Sequence, residues 1–157
     1  MFEPVLLPKG TRTRPDWDFP PAKAALRRRH SFASRAEALA AYRGRGSFQT
    51  WSEAQLADYV QAGFHETADG QVTLACTPQW EALTFAFNAD PAAALAGLQA
   101  PTTVLFGELE SSAQMAPSGL GAHPRVTVET LPGATHFLPM ERPKAVEAAI
   151  RAAVAHP

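Results

Sequence analysis

The chain has 157 residues, 46% of them apolar and 18% charged, with a net charge of -1. That length can bury one core of ordinary size, and the apolar share excludes general disorder. No stretch approaches the ~20 apolar residues of a membrane span, and the N-terminus lacks a signal peptide's apolar core. The single cysteine, Cys76, excludes an internal disulfide; a cytoplasmic protein is expected.

Charge is unevenly placed. Residues 1–50 hold ten Lys/Arg against four Asp/Glu, and residues 51–157 hold four against eleven. The run Arg27-Arg28-Arg29-His30 reads as a solvated helix face. No helix-turn-helix or ribonucleoprotein-type pattern accompanies it, so no nucleic-acid partner is expected.

The first element, Phe2-Glu-Pro-Val-Leu-Leu7, is short and apolar and reads as the end of a buried strand, broken by Pro8-Lys9-Gly10. Residues 11–100 read as mainly helical. Pro21 to His30 is the first helix expected. Ser34-Arg-Ala-Glu37 has capping-box spacing and opens a second, to about Tyr42, closed by Gly44-Arg-Gly46. Ser52-Glu-Ala-Gln55 repeats the signal for a helix to about Ala62, with Leu56, Tyr59, Val60 and Phe64 at helical spacing. Asp69-Gly70 then marks a turn and Val72 to Cys76 a strand-like arm. Thr77-Pro78 predicts a capped helix through Trp80, Leu83 and Phe87, and Asp90-Pro91 opens an alanine-rich one ending near Gly97.

From residue 101 the pattern changes. Thr102 to Phe106 is a buried strand, 111–121 a helix or loop, Arg125 to Leu131 a second strand. Pro143 to Ala155 is a helix with Val146, Ile150 and Val154 on one stripe. Strand, helix, strand, helix means parallel strands with right-handed crossovers.

Between the last strand and the last helix lies Gly133-Ala-Thr-His136-Phe-Leu-Pro-Met-Glu141-Arg-Pro143. This segment, with the order of elements before it, resembles the C-terminal half of an α/β-hydrolase with a helical cap. The resemblance implies an α/β class and a partial α/β-hydrolase fold, with few parallel strands and a mainly helical cap. Residues 1–10 would be the end of a core strand, 11–100 the cap and its return, and 101–157 the last core strands and helices.

The resemblance also implies an ester or similar bond in a small apolar substrate, with His136 as general base. Family order is nucleophile, acid, histidine. Gly107-Glu-Leu-Glu110 matches the turn that presents the acid, with Glu110 in place of the usual aspartate. Glu108 and Glu3, at the end of an adjacent strand, are the alternatives. No Gly-x-Ser-x-Gly turn is present: Ser118, Ser47 and Cys76 all lack the flanking glycines. Trp51, Phe64, Trp80, Phe85 and Phe87 are candidates to line a substrate pocket, Trp51, Trp80 and Phe85 foremost, or are core.

No paired histidine spacing supports a metal, and no phosphate loop is present; no cofactor is expected. Three functions compete. The chain is part of a hydrolase whose nucleophile lies elsewhere and is inactive alone; or a non-catalytic module that pairs with a complementing chain or with itself through an open sheet edge; or an enzyme using another nucleophile, Ser118 or Cys76.

Overall fold

The computed structural model describes residues 1–5, 17–86, 96–111 and 119–155. The chain divides into two compact units, Thr13–Asn88 and a second made of Met1–Arg12 with Ala89–Pro157.

In the Thr13–Asn88 unit, helix α1 (Pro20–Leu26) begins with proline in its first turn, where a missing N–H costs nothing. It ends four residues before the expected His30. The basic run therefore leaves the helix and enters strand β1 (Ser31–Phe32). Helices α2 (Arg35–Tyr42) and α3 (Glu53–Ala62) start as the spacing predicts. Ser34 accepts the Glu37 N–H at 3.1 Å, and Ser52 accepts that of Gln55 at 3.2 Å. Strands β2 (Phe64–Glu66) and β3 (Val72–Leu74) flank the Asp69-Gly70 turn, where Gly70 takes φ +79°. With β1 they make an antiparallel sheet in the order β1-β3-β2, so this stretch is not purely helical. Phe32, Ala38, Val60, Phe64, Val72 and Leu74 form its core.

Helix α4 (Pro78–Ala86) has Thr77 before it, whose hydroxyl accepts the Trp80 N–H. It packs on α1 through Ala22, Ala25, Ala82 and Ala86; alanine at all four positions lets the two backbones approach closely. Arg28 ties the two ends together. Its Nη1 donates to both Glu81 oxygens at 3.1 and 2.9 Å, and its Nη2 donates to the Tyr59 hydroxyl at 2.8 Å. Burial opposes the Arg28 charge, but Tyr59 and Glu81 outweigh it and hold its proton more tightly than usual. Arg29 lies over the Phe32 ring at 4.1 Å and pairs with Glu37 at 2.7 Å. Arg28 and Arg29 of the basic run are thus structural ties rather than part of a solvated helix face.

In the second unit, β4 (Thr102–Gly107) and β5 (Val126–Leu131) pair in parallel, from Thr102 against Val126 to Gly107 against Leu131. Residues 1–5 join β4 on its other side, also in parallel, through Phe2 opposite Leu105. Period-two alternation sends Val104 to one face, with Leu120 and Val126, and Leu105 to the other, with Ala134 and Leu138. β4 is therefore covered on both faces, as a parallel strand needs.

A short helix α5 (Leu138–Glu141) leads into α6 (Pro143–Ala155). The predicted stripe of α6 is only partly used. Val146 and Ala149 pack on the Leu105 cluster, whereas Ile150 is 50% and Val154 75% exposed. Much of the helix expected from Asp90, and residues 112–118 of the segment expected over 111–121, lie outside the described residues. No described helix is long and apolar enough to cross a membrane.

Candidate active site

Three parallel elements bring their carboxyl ends together, the place where open α/β sheets put ligands. Residues 1–5 contribute Glu3, β4 contributes Gly107, and the loop after β5 contributes His136. The Glu3 amide still donates to Leu105 O at 2.9 Å, as in a strand. Its φ of +42° then departs from strand geometry, and for a non-glycine residue such a φ costs about 1–3 kcal/mol and concentrates at functional sites. The side chain is directed toward the end of β4 and is buried, the residue being 5% exposed.

The Glu3 carboxylate is surrounded by donors. Its Oε1 accepts the Gly107 N–H. Its Oε2 accepts the Ser111 hydroxyl at 2.9 Å and faces His136 Nδ1 at 3.2 Å. An ionised carboxylate only accepts, so with a neutral ring this contact calls for the proton on Nδ1.

The histidine loop is fixed from several sides. Gly133 takes φ +64°, and its N–H donates to Glu108 at 3.0 Å. Ala134 is fully buried, and its carbonyl accepts the Leu109 N–H at 2.9 Å. Arg142 Nη2 reaches the Gly133 carbonyl at 3.2 Å. The loop runs hard against β4: a Cβ on Gly107 would meet Ala134 O at 2.3 Å and Thr135 O at 2.7 Å. Only glycine fits there.

The residues expected from the sequence fall as follows. His136 lies at the meeting of the strand ends. The carboxylate that faces it is that of Glu3, whereas the turn spacing points first to Glu110. Glu110 is exposed, at φ +48°, three residues past the end of β4. Spacing from Gly107 favoured it, but β4 ends at Gly107 and the chain turns outward there. Glu108, the other alternative, holds the loop backbone instead. Ser111 had no signal in the sequence beyond its nearness to this turn.

In the other unit, Trp51 packs edge-on against Phe48 at 5.1 Å and Tyr59 at 5.6 Å, part of an aromatic group with Tyr42. Trp80 is 66% exposed on α4, and Phe85 is also exposed. Cys76 is exposed, and Ser118 lies outside the described residues. Among the described residues, no three His, Cys, Asp or Glu side chains are grouped to hold a metal.

No family model matches the chain, and no curated protein does. Solved structures do. The peroxisomal alpha-beta-hydrolase Lpx1 of Saccharomyces cerevisiae matches with TM-score 0.74 at 15% identity, over 99% of this chain and 47% of that one. E-2-(acetamidomethylene)succinate hydrolase matches with TM-score 0.68 at 17% identity, over 94% and 56%. An alpha/beta hydrolase from Novosphingobium aromaticivorans matches with TM-score 0.61 at 21% identity, over 84% and 49%. The chain spans about half the length of these structures. At such identities the likeness is one of fold, and it agrees with the parallel strands described above: the chain has an α/β-hydrolase fold over the part it covers.

Proposed function

We propose that this chain supplies the acid–base pair of a hydrolase acting on an ester or similar bond of a small apolar substrate. Its nucleophile would lie outside these 157 residues. The observation that carries the reading is the contact of the buried Glu3 carboxylate with His136 Nδ1 at 3.2 Å, where the parallel strands end. In this reading His136 Nε2 takes the proton from a hydroxyl nucleophile or water. Glu3 stabilises the imidazolium that forms, and the proton then passes to the leaving alcohol. Base and nucleophile act as a unit, so the pair alone gives little rate.

The sequence has no Gly-x-Ser-x-Gly turn, so the chain by itself, in this reading a cytoplasmic protein, is expected not to turn over ester. The test is p-nitrophenyl acetate hydrolysis by the wild type and His136→Ala, corrected for buffer. Equal, non-catalytic rates are expected. Multiple turnovers by the wild type that vanish in His136→Ala would show that a nucleophile is present in this chain.

A second reading is a non-catalytic assembly module that pairs with a complementing chain or with itself. The exposed Ile150 and Val154 on α6 favour it, because parallel sheets and their helices are normally covered. Sedimentation equilibrium tests its self-association: a monodisperse, cooperatively unfolding monomer argues against assembly with itself.

A further inference from the structure

Resting on the reading of Glu3 and His136 as the acid–base pair, we propose that Glu141 is a positioning residue for His136, acting through Thr135. Both oxygens of the Glu141 carboxylate are used on one neighbour. Oε2 accepts the Thr135 N–H at 2.7 Å, and Oε1 accepts the Thr135 hydroxyl at 2.6 Å. The same hydroxyl oxygen accepts the Phe137 N–H at 3.1 Å. The amides on both sides of His136 are therefore held, directly or through one hydroxyl, by a single carboxylate. Bonds to an ionised acceptor are among the stronger ones in proteins, and a two-point arrangement fixes direction as well as distance.

The clamp is itself anchored. Glu141 closes α5, whose Leu138 is fully buried with Leu105 and Ala134. Leu138 N–H bonds Thr135 O at 3.0 Å, and Glu141 N–H bonds Phe137 O at 3.1 Å. The core thus fixes α5, α5 fixes Glu141, and Glu141 fixes the short peptide that carries the imidazole. Glu108 and Arg142 hold the loop upstream at Gly133, but they do not reach the amides beside His136. Without the clamp the Thr135 N–H and hydroxyl lose their acceptor, the hydroxyl that takes the Phe137 N–H is no longer fixed, and the ring loses its fixed approach to Glu3.

The test is the Nδ1–H proton resonance of His136, followed with histidine-labelled protein. A proton hydrogen-bonded to a buried carboxylate resonates far downfield. Wild type is expected to show this signal, and Glu3→Gln to remove or move it. Glu141→Ala and Thr135→Val are expected to lose it while keeping a cooperative unfolding transition. Glu141→Gln, which keeps one acceptor, and Thr135→Ser, which keeps the hydroxyl, are expected to retain it. Thr135→Val leaves Leu138 and α5 in place, so it answers the question if Glu141→Ala does not fold. A signal unchanged in folded Glu141→Ala or Thr135→Val overturns the positioning role and leaves the Glu3–His136 pair standing. A signal absent from wild type, or indifferent to Glu3→Gln, overturns the pair itself and this inference with it.

Discussion

Replacing Gly107 by alanine tests how tightly the end of β4 and the histidine loop are joined. The new Cβ would stand 2.3 Å from Ala134 O, 2.6 Å from Ala134 C and 2.7 Å from Thr135 O, all backbone atoms, whereas real Cβ contacts stay above 3.0 Å. The loop must therefore retreat by about 0.7 Å even to reach the tightest tolerated contact, and by more to reach ordinary packing distance. A retreat of that size is enough to carry the 3.2 Å Glu3–His136 contact out of hydrogen-bond range. Overpacking of this kind costs about 1–3 kcal/mol. The loss of glycine's extra freedom in the unfolded chain returns only about 0.4–1 kcal/mol, so the clash wins. Urea denaturation should show a lower midpoint, and the His136 Nδ1–H signal should move or vanish. A Gly107→Ala protein as stable as wild type, with that signal unchanged, would refute the close approach.

Other outcomes follow from the same contacts. Ser34→Ala and Ser52→Ala should each lower stability by about 1 kcal/mol, the usual worth of an N-cap, as read by thermal unfolding. Arg28→Ala strips Glu81 and Tyr59 of a half-buried partner and should cost about 1.5–3 kcal/mol; a change within error of zero would mean that α1 and α4 are held by their alanines alone. Burial raises the Tyr59 hydroxyl above its ordinary pKa of 10.0 despite the opposing Arg28. A pKa raised on folding lends stability that is complete below pH 10 and declines as pH rises through the raised value. Alkaline unfolding should therefore set in earlier for wild type than for Tyr59→Phe. Ser111→Ala removes one donor from the Glu3 carboxylate and should weaken the His136 signal without abolishing it.

Much of this structure is legible from local signals. The capping serines 34 and 52 are read correctly because an N-cap is set by residues three apart. The parallel strands show as β-branched and aromatic runs, and the histidine loop as a glycine-led turn between strand and helix. The short β1 is invisible because two residues carry no period; it exists through its pairing with Val72 and Thr73. The early end of α1 was hidden by an arginine run with good helix propensity, which tertiary bonds to Glu81, Glu37 and Tyr59 override. The choice among carboxylates was out of reach for a related reason. Glu110 stands at the expected sequence distance from Gly107, whereas Glu3 is 133 residues from His136 in sequence and meets it only because residues 1–5 pair with β4. Its positive φ is a second feature that no propensity favours.

The most direct test of the Glu3–His136 pair is the tautomer of the neutral His136 ring, read from its two nitrogen-15 shifts in wild type and Glu3→Gln. The geometry predicts the proton on Nδ1 in wild type, leaving Nε2 as the base, and a disturbed ring environment once Glu3 is replaced. A ring protonated on Nε2, or a spectrum indifferent to Glu3→Gln, would contradict the pair on which the proposed chemistry stands.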